Sequence, residues 1–73
     1  MNIHEWVEKN PDVMSGAVVF KNTRVPVAVV FDNLADGLSV HEILESYPTV
    51  SKEAVLAVLA IAQNNILSQI KQE

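Results

Sequence analysis

A mainly α fold with a short β ribbon near its N-terminus is predicted for this 73-residue chain. Three observations predict it. Ala17-Val18-Val19-Phe20 and Val25-Pro26-Val27 are short β-favouring runs on either side of a polar knot, Lys21-Asn22-Thr23-Arg24. From Val27 onward, apolar residues recur every three or four positions, the period of a helix with one buried face. Turn and cap residues (Gly37, Ser39, Pro48 and Ser51) then cut that helical stretch into three.

Residues 1–15 are a lead-in. Ile3, Trp6 and Val7 fall at i, i+3 and i+4, which predicts a helical turn that Pro11-Asp12 ends, with Trp6 as a core anchor. Residues 16–27 are the ribbon. Gly16 opens the first run, and Val25 is held extended because it precedes Pro26. Pro26 cannot donate to a ladder, so the second run belongs at an edge. A lone hairpin is marginal in water. The ribbon therefore pairs within the chain or with a second copy.

Residues 27–62 are the helical core. Pro26 suits the first turn of helix one. Val27, Val30, Phe31, Leu34 and Leu38 form its apolar stripe, and Gly37 supplies its left-handed stop. Ser39-Val40-His41-Glu42 is a capping box that starts helix two, with Leu38 and Ile43 in the staple positions. Ile43, Leu44 and Tyr47 form its buried side before Pro48 ends it. Helix three starts near Ser51, with Glu53 complementing the helix dipole.

Ala54 to Ala62 is an unbroken apolar run in that third helix. A helix apolar all round is buried all round, and so short a chain has too little material to wrap it. An intertwined homodimer is the expectation, with Val18, Phe20, Val55, Leu56, Val58, Leu59 and Ile61 at its interface. Residues 63–73 form an arm. Val55, Leu59, Ala62, Ile66 and Ile70 keep one apolar stripe while Gln63-Asn64-Asn65 remove the other, as in a segment that leaves the core and offers a face to a neighbour.

The composition narrows the chemistry. The absence of cysteine excludes disulfides and cysteine zinc sites. His4 and His41 lack metal spacing, so neither a metal nor a cofactor is expected. A domain this small needs some other source of burial, which again favours oligomerisation. No apolar run reaches the roughly 17–20 residues that span a bilayer, and MNIHEWVEKN lacks the apolar stretch of a signal peptide. The expected location is the cytoplasm of a prokaryote.

Net charge is −4. That disfavours non-specific nucleic-acid binding, which rests on many Lys and Arg. It leaves room for one local basic patch doubled in a dimer, and it suits a partner with a basic groove. No catalytic role is expected. Glu42 and Glu45 share a short helix but Glu42 is occupied in capping, His41 reads as a surface residue, and no nucleophile triad or phosphate loop is present.

Read in order, "KNTRVPV", "LADGLSVHEILESYPTVSKEAV" and "LAVLAIA" resemble the domain of unknown function 433 family of bacteria and archaea. Thr23, Arg24 and Val25 match its Thr-Arg-Ile/Val; Gly37, Ser39, Glu42, Ile43, Tyr47 and Pro48 match its central helices. The likeness covers roughly residues 10 to 63. Asn22 stands where the family usually has Gly, and Asn tolerates the left-handed conformation. The resemblance implies a homeodomain-like helix-turn-helix unit. It also implies the antitoxin half of a type II toxin–antitoxin pair, whose partner is a PIN-like ribonuclease.

On that resemblance Ile66, Leu67 and Ile70 are the expected toxin contacts. Lys21, Asn22, Thr23, Arg24, Ser51 and Lys52 are the expected contacts to operator DNA. Beyond Ser51 and Lys52 the third helix offers nothing polar to base edges. Two readings of the knot stay open. In one its residues meet a phosphate or a partner. In the other Asn22 and Thr23 satisfy local backbone, and Arg24 pairs with Asp32 or Asp36. A stand-alone DNA-binding regulator and a purely structural dimerisation module are the alternatives to the antitoxin.

Overall fold

The computed structural model describes residues 2–70. A 3-10 turn at Ile3–Glu5 leads into an antiparallel hairpin, β1 (Val7–Asn10) with β2 (Ala17–Phe20). Three helices follow: α1 (Ala28–Ala35), α2 (Val40–Ser46) and α3 (Lys52–Gln69). The fold is thus mainly α behind a short β hairpin, as the sequence predicts.

β1 departs from expectation. Val7-Glu8-Lys9-Asn10 pairs with Phe20-Val19-Val18-Ala17, so the lead-in supplies a strand where a helical turn was predicted. The helical period of Ile3, Trp6 and Val7 is spent on the 3-10 turn. After it, Val7 opens the strand with its side chain buried against the core, and three polar residues follow. The loop from β1 back to β2 closes through Met14, Ser15 and Gly16, all with positive φ.

The predicted ribbon partner is present on the far side of β2. Phe20 N donates to Val25 O at 3.0 Å and Val27 N to Val18 O at 2.9 Å, around a bridge between Val19 and Pro26. β2 therefore lies between β1 and the 25–27 segment. Pro26 sits at the edge, where its missing N–H costs nothing.

The helix boundaries follow local chemistry. α1 ends in a Schellman arrangement: Gly37 N donates to Leu34 O and Leu38 N to Asn33 O, both at 3.0 Å, with Gly37 at φ +92°. Leu38 then precedes the N-cap Ser39, and α2 runs to Ser46. Tyr47 to Ser51 makes the turn into α3, held by Val50 N donating to Tyr47 O. Ser51 caps α3 by accepting from Ala54 N at 3.1 Å.

One core gathers these elements. Val7, Phe20, Val30, Ile43, Val50, Ala54, Val55 and Val58 form it, with Trp6, Leu34, Leu44, Tyr47 and Leu59 packed around. This corrects part of the expected dimer interface. Phe20, Val55 and Val58 are buried inside a single chain, in one cluster with Val7, Val30 and Ile43, so they are not open to a second copy. Leu59 and Ile61 are half-buried. Val18 and Leu56 remain about half exposed, at 49% and 48%.

α3 has 18 residues, a length of about 27 Å, and its second half outruns the core. The described residues extend over 42 Å in their longest dimension. No helix among them is long and apolar enough to cross a membrane. Of the arm predicted at 63–73, residues 71–73 lie outside the described residues.

Candidate functional site

Two features carry the functional candidates: the knot with the start of α3, and the far half of α3.

The knot is a tight turn built by its own side chains. Thr23 N donates to Phe20 O at 3.0 Å, which closes four residues. The third of them, Asn22, has φ +62°, a conformation that turns demand of Gly or Asn. Its backbone N–H donates to Glu8 Oε2 at 2.9 Å. The Thr23 hydroxyl donates to Phe20 O at 2.8 Å and accepts from Val25 N at 3.1 Å. Asn22 and Thr23 therefore fix the crossing from β2 to the 25–27 edge.

The two cations of the knot both bond to backbone carbonyls. Arg24 reaches neither Asp32 nor Asp36. Its Nη2 donates to the backbone carbonyl of Asp12 at 3.3 Å, since the loop between β1 and β2 lies closer than α1. Lys21 donates through Nζ to His4 O at 2.8 Å, and its backbone N–H donates to Trp6 O at 2.9 Å. Both side chains remain exposed, so these bonds are exchangeable with solvent or ligand.

The fold brings sequence-distant candidates together. Lys21, Asn22 and Thr23 line one open cleft with Thr49, Val50, Ser51 and Ala54 at the start of α3; Glu5, Trp6 and Phe20 complete its wall. Lys52 follows Ser51 and is exposed, whereas Arg24 is absent from the cleft lining. The indole N–H of Trp6 is buried without a hydrogen-bond partner among the described residues. Glu5 and Lys21 both line the cleft, which makes it mixed in charge rather than basic.

Sequence reasoning missed Glu8, which anchors the knot from the opposite strand. Val7-Glu8-Lys9-Asn10 holds one apolar residue followed by three polar ones, so it carries no alternation that marks a strand.

The capping box lies away from this cleft. Ser39 N donates to Glu42 Oε1 at 2.9 Å and Glu42 N to Ser39 Oγ at 3.1 Å. The hydrogen bond from the Ser39 backbone, then that with its hydroxyl, hold the Glu42 carboxyl below its ordinary value; nearby His41 adds a smaller pull in the same direction. His41 itself lies 3.6 Å from Glu45 on the exposed face of α2.

The far half of α3 is the second candidate. Ile66, Leu67 and Ile70, the predicted toxin contacts, are 63%, 48% and 66% exposed. They lie on a stretch, Ala54 to Ile70, without a single charged side chain. Large aliphatic groups left in water along an uncharged stretch of helix make this a candidate contact surface.

The family profile described as "Protein of unknown function (DUF433)" matches residues 7–62. The chain belongs to the DUF433 family. That match begins at the first residue of β1 and ends within α3, so it includes the hairpin, the knot and all three helices. Among curated proteins this DUF433 chain is similar to "Uncharacterized protein y4eO" of Sinorhizobium fredii (strain NBRC 101917 / NGR234), 36% identical over 63 residues. The match covers 86% of the chain but 28% of that relative, so the chain spans less than a third of its length. No solved structure matches it.

Proposed function

We propose that this DUF433 chain is an antitoxin-like protein that binds and inhibits a PIN-like ribonuclease in the cytoplasm, and that it has no catalytic activity of its own. The observation that carries this reading is the exposed row Ile66, Leu67 and Ile70 on the charge-free end of α3. Amphipathic helices that bind by insertion present such anchors at helical spacing. The acidic balance of the whole chain, net −4, favours approach to an enzyme whose RNA groove is positive.

Repression of the operon is a second part of the reading. It is favoured by the meeting of Lys21, Asn22, Thr23 and Ser51 in one cleft, with Lys52 beside them and Arg24 outside it. In a symmetric assembly this patch would be doubled. Its contacts would go to phosphates, so binding would weaken steeply with salt.

The test is inhibition. A PIN-like ribonuclease from the same organism is assayed on a labelled RNA with increasing amounts of the purified protein. Stoichiometric loss of cleavage is the expected result, relieved by Ile66→Asp together with Ile70→Asp. Unchanged cleavage at a large excess of the chain would overturn the antitoxin reading.

A further inference from the structure

α3 has two apolar faces. The inner one, Ala54, Val55, Ala57 and Val58, is buried in the chain's own core. Toward the outer side Leu56, Leu59, Gln63, Ile66 and Ile70 follow one another at alternating steps of three and four residues, with Leu59 at the border where it also packs against the core. That is the spacing of a helix–helix seam. Ala60 and Leu67 flank it. Leu56 is 48% exposed, and with Ile66, Leu67 and Ile70 it leaves most of the row in water.

The row is symmetric about Gln63. Seven residues away on either side stand Leu56 and Ile70; four away, Leu59 and Leu67; three away, Ala60 and Ile66. Two copies laid antiparallel on a two-fold axis at Gln63 place each apolar residue opposite another. Such a contact is isologous, the same patch meeting itself. We propose that the outer face of α3 is the seam of an antiparallel homodimer centred on Gln63.

The symmetry of the row selects a second copy as the occupant, and the local absence of charge permits it. Each chain carries −4, so two copies repel over most of their surfaces. Between Ala54 and Ile70 there is no charge to repel. The antiparallel arrangement opposes the two helix dipoles favourably and keeps the two acidic bodies at opposite ends of the seam. The paired Gln63 amides donate and accept between themselves, and one polar layer in an apolar seam fixes its register. The contact falls at the small end of specific interfaces, under about 1,200 Å² in total, so the association is reversible. A ribonuclease that takes Ile66, Leu67 and Ile70 displaces the second copy. That last consequence rests on the antitoxin reading, and the seam itself does not.

The chain has no cysteine, so single cysteines report the geometry directly. In the antiparallel register two copies of residue 56 lie about 21 Å apart along the axis, beyond the roughly 7 Å between Cα atoms that a disulfide allows. Under mild oxidation, Gln63→Cys is expected to form a covalent dimer much faster than Asn65→Cys on the other side of the helix. Leu56→Cys and Ile70→Cys are expected to cross-link only when mixed. Self-linking of Leu56→Cys as fast as the mixed reaction would overturn the register, as would a Gln63→Cys rate no higher than that of Asn65→Cys. Sedimentation of the unaltered chain supplies an independent reading. A weight that rises with concentration supports the seam, and a monomer up to submillimolar concentration excludes it.

Discussion

Asn22 and Glu8, 14 residues apart, are tied by a 2.9 Å hydrogen bond from the Asn22 backbone N–H to the Glu8 carboxylate. This bond joins the knot to β1. Glu8→Ala leaves that N–H to water and is expected to destabilise the fold by about 1 kcal/mol, the low end for a bond to a charged group at an exposed site. Glu8→Gln keeps an acceptor and should retain most of the stability. Urea unfolding of the two variants makes the comparison.

Asn22 itself holds φ +62°. A β-branched residue pays for that conformation, whereas Gly does not. Asn22→Val should therefore lose about 1–2 kcal/mol, while Asn22→Gly stays close to the parent. Equal stability of the two variants in thermal melts would show that the turn has relaxed elsewhere.

Glu42 links the start of α2 to pH. Its carboxyl is held below the ordinary value of 4.5 by the bonds with Ser39. A depressed carboxyl stabilises the fold in full above its unfolded value, and that stabilisation is lost as pH falls through the folded value. Against Glu42→Gln, which keeps the hydrogen bond without the charge, the parent should melt higher above about pH 4.5 and converge with it in stronger acid. A difference that grows on acidification would contradict the bond inferred here.

Much of this was legible in the chain because the decisive signals are local. Ser39 and Glu42 sit three apart and cap each other; Gly37 ends α1 with the φ that Gly allows; Pro48 stops α2. The family pattern came from the same residues. What escaped depended on pairing across distance. β1 is four residues long, and its one buried valine could belong equally to a helical turn. One of the two readings of the knot pairs Arg24 with Asp32 or Asp36, whereas Arg24 reaches the backbone carbonyl of Asp12 in the loop between β1 and β2. The unbroken run Ala54–Ala62 calls for burial all round, and the chain itself buries one face of it, Ala54, Val55, Ala57 and Val58. Which residues the chain covers itself, Val55 and Val58, and which it leaves open, Leu56, follows from where β2 and α2 pack and is not written in that run.

The central claim is that the charge-free end of α3 binds a ribonuclease. The most direct measurement is a tagged pull-down from the native cells at moderate salt, with mass spectrometry of what co-purifies, for the parent and for Ile66→Asp with Ile70→Asp. Both positions are exposed, so circular dichroism should show an unchanged fold. The account predicts a stoichiometric PIN-like ribonuclease with the parent and its loss with the variant. Recovery of the parent chain without any ribonuclease would contradict it.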